Sequence, residues 1–451
     1  MTTFSLKQRA IRAGILTISS QITSQVFRLA SNLVLTRLLV PEMFGIMALA
    51  NILIIGIHLF SDIGLNQNLI QNVRGNDPDY INTVWTVQVV RGVIITTLGV
   101  GLGIGIYLLN SMHIWPISTV YAEPILPYVI AVTSLNAAVS GFASTKIALA
   151  SRTMSIGRNT LIDLASQLAG IAVMIIWAWI DRSIWALVGG SLISTTISTI
   201  MSHTLTIGVK NHFHWDKSAF DEIFRFGKWI FLTSILGFLS SSADRLILGS
   251  FVDSTVLGLY AVAIFMKNAL QDLLFKLSSS IGFPAFSEVY RNRPEQLKQI
   301  YYKLRVKLDI VSLLAMGFLF SAGRLIIQVL YDSRYLPAGH MLEILSIGIF
   351  GFRYGLAEHC YNAIGKPKIS VPLIAIRTLG MIIIIPTGFH FYGLEGAIWA
   401  IAFSDLIYIP LAIHLKIKNH IFDLQKELIV LPVIALGYIL GKFTLWMFSI
   451  F

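Results

Sequence analysis

Apolar stretches of about 20 residues or more follow one another along this chain from end to end. Twenty helical residues rise about 30 Å, the thickness of a bilayer's hydrocarbon core, and a helix satisfies its own backbone hydrogen bonds in lipid. The 451 residues are enough for three soluble domains, but hydrophobic residues make up 55% and charged residues only 13%. A soluble chain carries about 25% charge, so half the usual solvating surface is missing. The pattern specifies an all-α polytopic membrane protein.

Thirteen spans (12–14 at the extremes of reading) are predicted near residues 12–36, 43–66, 83–109, 124–147, 158–180, 184–208, 226–250, 256–286, 305–330, 340–364, 369–389, 394–415 and 427–449. Turn and breaker chemistry separates them, as at Val40-Pro41, Gly75-Asn76-Asp77-Pro78, Arg293-Pro294 and Gly365-Lys366-Pro367. The basic start, Ser5-Leu6-Lys7-Gln8-Arg9, leads into a long segment without a small-residue cleavage site, which reads as a first transmembrane helix rather than a removed signal.

Lys and Arg number 34 against 23 Asp and Glu, a net charge of +11. With residues at span edges assigned to their loops, 22 cations fall in the N-terminus and even-numbered connections, three (Arg37, Arg182, Arg334) in the odd ones, and nine within the spans. The positive-inside rule then places the N-terminus in the cytoplasm. The excess does not point to nucleic acid.

Every outward connection is short, and the longest, about 110–123, has no Lys or Arg. A membrane polysaccharide polymerase or ligase, which would carry a sizeable extramembrane region, is therefore disfavoured. Asp77-Pro78-Asp79 reads as a turn rather than a metal pair, and Gly101-Leu102-Gly103-Ile104-Gly105 as close helix packing rather than a phosphate loop. His212 and His214 read as solvated loop residues, and the single cysteine, Cys360, excludes an internal disulfide or a multi-cysteine metal site. No nucleophile–base arrangement stands out, so the chain is not expected to be an enzyme or to hold a cofactor or metal.

Sliding the sequence against itself by 213 residues aligns the first span with the seventh, matching Arg12 with Arg225, Gly14 with Gly227, Ala30 with Ala243 and Gly45 with Gly258, among nine identities over residues 12–50. Two parallel six-helix bundles around a central cavity are expected, over 1–210 and 211–420, with an extra C-terminal helix in 421–451.

Ionisable groups in hydrocarbon cost about 2.5–3.5 kcal/mol on insertion scales, so each one needs a reason. In the first span Gln21, Gln25, Arg28 and Asn32 recur at spacings of 4, 3 and 4, a polar stripe on one helix face. Arg91, Lys267, Arg353 and Arg377 lie well inside their spans, while Lys276, Arg324 and Lys442 sit where they can snorkel. Buried acids, among them Asp62, Asp163, Asp244, Asp272, Glu343, Glu358 and Asp405, are alternative partners, for example Glu358 for Arg353. Collectively the mid-membrane cations favour an anionic substrate, phosphate or pyrophosphate, whose oxygens match an arginine fork.

Several stretches resemble the polysaccharide-exporting, Wzx-type branch of the multidrug/oligosaccharidyl-lipid/polysaccharide exporter superfamily. They are Thr36-Arg37-Leu38-Leu39-Val40-Pro41-Glu42-Met43-Phe44-Gly45, Asp62-Ile63-Gly64-Leu65, Trp85-Thr86-Val87-Gln88-Val89-Val90-Arg91-Gly92, Phe226-Gly227-Lys228-Trp229, Asp244-Arg245-Leu246-Ile247-Leu248-Gly249, Leu257-Gly258-Leu259-Tyr260 and Phe283-Pro284-Ala285. The similarity covers most of residues 1–310. Val40 stands where the family usually has Gly, and close relatives commonly reach fourteen spans.

The resemblance implies a flippase for undecaprenyl-pyrophosphate-linked oligosaccharide in a bacterial cytoplasmic membrane, working by alternating access around a cationic cavity. Its expected partners are that lipid-linked substrate, the membrane lipids, and a polysaccharide polymerase with export machinery. Asp62, Arg91, Asp244 and Arg245 carry over from the family's motifs. Arg28, Lys267, Arg353 and Arg377 rest on membrane burial alone. A proton or sodium gradient is the expected coupling, with Asp62, Asp163 and Asp405 as candidate acids. A lipid II flippase and a cation-coupled drug antiporter of the same superfamily are the alternatives.

Overall fold

The computed structural model describes residues 6–116, 118–152 and 157–450. Ser5 lies outside them, as do the side chains of Lys7, Arg9, Arg12, Phe226, Lys228, Trp229, Phe283 and Pro284. Among the described residues the regular structure is all helical, with no strand, and the chain divides into two compact units, Met1–Phe238 and Leu239–Phe451.

The first unit holds α1 (Leu6–Leu38), α2 (Pro41–Phe60), α3 (Leu65–Gln71), α4 (Pro78–Ser111), α5 (Leu126–Gly141), α6 (Lys146–Arg152), α7 (Gly157–Ile180), α8 (Trp185–Thr204) and most of α9 (Lys217–Gly249). Helix α4 packs along α5, α5 along α8 and α2, and α7 along both α8 and α1. Prolines open α2 and α4, where a first-turn N–H has no intrahelical partner to lose. Asp77-Pro78-Asp79 is the cap of α4, with the Asp77 carboxylate accepting from the Asp79 N–H at 3.1 Å. Within the glycine run the close packing of α4 on α5 is made by Gly103, continuing a contact that Gly92 and Gly99 make earlier on the helix. A Cβ at Gly103 would sit 2.7 Å from the Pro127 carbonyl, whereas Gly101 and Gly105 face open space.

The second unit holds α10 (Ser254–Asn292), α11 (Leu297–Leu330), α12 (Leu336–Ser346), α13 (Phe352–Ala363), α14 (Ser370–Ser404), α15 (Ile409–Lys418), α16 (Leu424–Leu428) and α17 (Pro432–Ile450). Helix α11 packs along α17 and α12, and α10 along α13 and α12. The 213-residue offset extends to helix starts: Pro41 maps onto Ser254, the first residue of α10, and Gly157 onto Ser370, the first of α14.

Among the described residues nine helical segments are long and apolar enough to cross a membrane, or ten when α5 and α6, bent by 62°, count as one broken span. Helix α1 is long enough at 33 residues but falls outside this set because Ser19, Ser20, Gln21, Ser24, Gln25 and Arg28 interrupt it. The span expected over 43–66 is shorter: α2 stops at Phe60, and Gly64 adopts a left-handed φ of 61° that starts α3 in a new direction. The break expected near 390 lies inside α14, where Gly393 has a φ of 58° and separates 370–391 from 394–404.

Candidate functional site

In the first unit Trp85, Gln88 and Gly92 lie at i, i+3 and i+7 of α4 and share the face against α5. Gln88 Nε2 donates to the Gly141 and Ala143 carbonyls, 2.9 Å each, satisfying backbone acceptors that the α5–α6 bend leaves open. Arg91 is thereby turned toward α2. Its Nε donates to Ser61 Oγ at 3.2 Å, and its Nη2 reaches the His58 carbonyl at 2.7 Å and His58 Nδ1 at 3.1 Å. Asp62 stands 4.0 Å from the same nitrogen. One Asp62 oxygen accepts from the Gly64 N–H at 2.9 Å, which fixes the tight turn, and the other accepts from Ser234 at 3.2 Å. His58, Asp62, Gln88 and Arg91 border a cavity of about 360 Å³, also lined by Asn66, Gln67, Ser140 and Ser144. The structure thus brings the sequence-derived Asp62 and Arg91 together on one wall.

Beside this cavity the segment before α9 runs extended over the start of α4. Alternate residues of an extended chain point their N–H groups the same way. The N–H groups of His212, His214 and Asp216 bond to Asn82, Thr86 and Thr83, at 3.2, 3.0 and 3.0 Å. The His212 side chain is exposed and that of His214 half-exposed, as expected of loop residues, while their backbone is tied down. Arg74 closes the strap, reaching Asp77 at 3.0 Å, Asp216 at 2.9 Å and Glu222 at 3.2 Å. Its guanidinium holds the Asp216 carboxyl below the usual carboxylate range, helped by the Ser218 N–H.

In the second unit Asp405 ends α14 and accepts from Lys267 at 2.7 Å and Arg377 at 2.6 Å, a triad with one cation in surplus. Arg377 also reaches Ser240 at 3.4 Å. The triad packs on the irregular backbone between α12 and α13, where a Cβ at Gly348 would lie 2.9 Å from Lys267 Nζ. Arg377, Asp405, Gln271 and Tyr408 line a cavity of about 230 Å³. Asp244 is buried, accepts from the Tyr260 hydroxyl and lies 3.5 Å from Arg245 Nε, so the Asp-Arg motif meets its Leu-Gly-Leu-Tyr counterpart.

Arg353 belongs to a different assembly. It contacts Asp309 at 3.0 Å and the Glu427 carbonyl at 2.8 Å, while Arg305 and Lys416 both bond the Glu427 carboxylate. Tyr302 donates to Glu427 at 2.8 Å, and the rings of Tyr301, Tyr302 and Tyr354 face the Arg305 and Lys416 cations. Arg353, Arg305, Lys416 and Glu427 are 2%, 1%, 0% and 6% exposed. Glu358, expected beside Arg353, is not its partner: five residues on, it points about 140° round α13. Arg305 and Lys416 count as loop charges by sequence position, yet they are enclosed.

On α1 the polar stripe engages α7 at Ser24, which donates to Gln167 at 2.9 Å and whose carbonyl accepts from Gln167 at 3.2 Å. Gln21 and Gln25 are half-buried on the same helix. Arg28 is exposed and, among the described residues, has no ion-pair partner within its unit; Asp163 on α7 is also exposed. Arg324 pairs with Glu343 at 3.1 Å, in keeping with a structural role. Sequence reading missed His58, although it stands one helical turn before Asp62.

A family described as "Polysaccharide biosynthesis protein" matches residues 34–340. The chain is 21% identical over 429 residues to the lipopolysaccharide biosynthesis protein WzxC of Escherichia coli (strain K12), covering 90% of this chain and 82% of that protein. Among solved structures it is similar to the lipid II flippase MurJ in an inward closed conformation, with a TM-score of 0.70 at 12% identity over 97% of this chain and 100% of that one. An inward-facing MATE family transporter of the MOP superfamily gives a TM-score of 0.66 at 13% identity, over 97% and 99%. At such identities the structural likeness is one of fold.

Proposed function

This chain belongs to the polysaccharide biosynthesis protein family, and from that membership we propose that it is a flippase. It translocates undecaprenyl-pyrophosphate-linked oligosaccharide units across a bacterial cytoplasmic membrane by alternating access, for surface polysaccharide assembly. The observation that carries the reading is Arg91, a cation deep in a multi-pass membrane protein, held at the wall of a cavity of mixed polar and apolar lining with its nearest carboxylate 4.0 Å away. A guanidinium so placed keeps donors for phosphate oxygens. The Lys267–Asp405–Arg377 triad, with its surplus cation beside a second cavity, supplies the same chemistry in the second unit. Arg28, exposed on α1, and Arg245 are further contacts for the anionic headgroup, with Gln21 and Gln25 offering amides to the glycan. We assign Arg353 to holding the fold, because its charge is enclosed among Asp309 and Glu427.

The N-terminus faces the cytoplasm in this reading, which the excess of Lys and Arg in the N-terminus and even-numbered connections supports. Asp62, Asp163 and Asp405 are the acids through which a proton or sodium gradient would act, and a polysaccharide polymerase with export machinery takes the product onward. Replacing Arg91 and Arg377 by Ala in a strain lacking the chromosomal copy tests the reading, with surface polysaccharide measured at matched protein levels. Loss of polymer with normal growth is expected. Full export would sink the cation claim, and arrested cell-wall synthesis would favour a lipid II flippase instead.

A further inference from the structure

The arrangement of His58 around Arg91 restricts its protonation. Arginine carries only donors, so the 3.1 Å contact between Arg91 Nη2 and His58 Nδ1 requires a lone pair on Nδ1. The imidazole is then neutral, with its proton on Nε2. The same Nη2 also donates to the His58 carbonyl at 2.7 Å, and Nε to Ser61, so three bonds hold the guanidinium against the end of α2. A second proton on His58 would turn Nδ1 into a donor facing a donor and set two cations side by side. Among the described residues the charged groups that face His58 are Arg91 from α4 and Asp62 from the α2–α3 turn. Helices α3 and α5 present only uncharged residues to this cavity, and α9 contributes Ser234 to Asp62. One carboxylate cannot balance both cations.

We propose that His58 is a proton-binding site whose occupancy releases Arg91 from α2 so that it holds an oxyanion, phosphate-like in chemistry, in the adjoining cavity. Proton and anion then bind together: the protonated ring and the freed guanidinium face one oxyanion, and the anion in turn raises the ring's hold on its proton. Around the freed guanidinium the cavity is lined by the uncharged Asn66, Gln67, Ser140 and Ser144, and Asp62, 4.0 Å from Nη2, is the carboxylate an anion must compete with there. This rests on the reading above that an anionic group is held at Arg91. It adds to that reading a group that loads a proton with the anion, and the proton's site is a histidine rather than one of the candidate acids.

The test uses the full chain in nanodiscs of zwitterionic lipid, with inorganic sulfate as probe because its charge is constant over the pH range. Sulfate affinity is measured at about pH 5.5 and about pH 8, on either side of an ordinary histidine. The His58 ring is followed by NMR, assigned by the signals that H58N removes. In wild type, sulfate is expected to bind about tenfold tighter at the lower pH, and saturating sulfate to move the His58 titration upward. His58→Asn keeps an oxygen to accept from Arg91 but cannot take a proton, and it should bind weakly at both pH values. Arg91→Gln should lose the sulfate site while the protein still unfolds in a cooperative thermal transition.

If H58N keeps the wild-type pH dependence, or sulfate leaves the His58 titration unmoved, the proton site is overturned. Should R91Q lose sulfate in that case, the Arg91 anion site stands on its own. Wild-type sulfate binding by R91Q overturns both.

Discussion

Glu427→Gln tests the enclosed cluster of the second unit. Three cations (Arg305, Arg353 and Lys416) are balanced there by two acids, Asp309 and Glu427. The substitution keeps the shape but raises the net charge from one surplus cation to two, at positions 0–2% exposed for the cations. Two unit charges 4 Å apart interact by about 4 kcal/mol at an effective dielectric constant near 20, and removing one partner of a buried pair costs about 3–5 kcal/mol. At about 2–4 °C per kcal/mol for a unit of this size, the unfolding temperature of the full chain in detergent should fall on the order of 10 °C. A second change separates charge from packing. Lys416→Met with Glu427→Gln restores the original surplus, so the double variant should be more stable than E427Q by about 2 kcal/mol, a coupling expected only of interacting residues. An E427Q protein that unfolds within about 2 °C of wild type, or a double variant less stable than the single one, would refute the reasoning.

Other perturbations have outcomes fixed by single contacts. Tyr260→Phe removes the hydroxyl that bonds the buried Asp244, and should destabilise the chain by about 1–3 kcal/mol in thermal unfolding. Gly103→Leu forces a side chain against the Pro127 carbonyl, 2.7 Å from a Cβ, and should cost about 1–3 kcal/mol and lower the folded yield. Asp216 has its proton affinity depressed in the folded state by Arg74, so its contribution is present above the ordinary carboxylate value of about 3.9 and is lost as pH falls through the lower folded value. Hydrogen-exchange protection of the His212, His214 and Asp216 amides should therefore drop in acid, and drop at neutral pH in Arg74→Ala.

Much of the helical order is legible because lipid leaves a chain few choices: apolar length, proline at helix starts and glycine at breaks mark where α2, α4 and the two halves of α14 lie. The meaning of individual charges is less so. Arg91 and Asp62 can be singled out by depth and motif, but nothing in spacing tells that Arg91 is tied to His58, because that contact joins helices 33 residues apart in sequence. Lys267, Arg377 and Asp405 likewise stand out singly, and only folding makes them a triad. Arg305, Lys416 and Glu427 sit at span edges, where sequence position cannot distinguish a solvated loop charge from one enclosed by tyrosines. Counting every edge cation as a topology signal overlooks this. Positive-inside bias is a property of loops, whereas burial is decided by what packs on them.

The proposed activity is tested most directly by reconstituting the purified chain in liposomes with fluorescent undecaprenyl-pyrophosphate-linked oligosaccharide and following loss of outer-leaflet signal to an impermeant quencher. Wild type should equilibrate the lipid across the bilayer. Arg91→Ala should slow it by at least about tenfold, the loss expected for a charge-assisted contact of about 1.5–3 kcal/mol. Movement no faster than in protein-free liposomes, or an Arg91→Ala rate equal to wild type, would contradict the account.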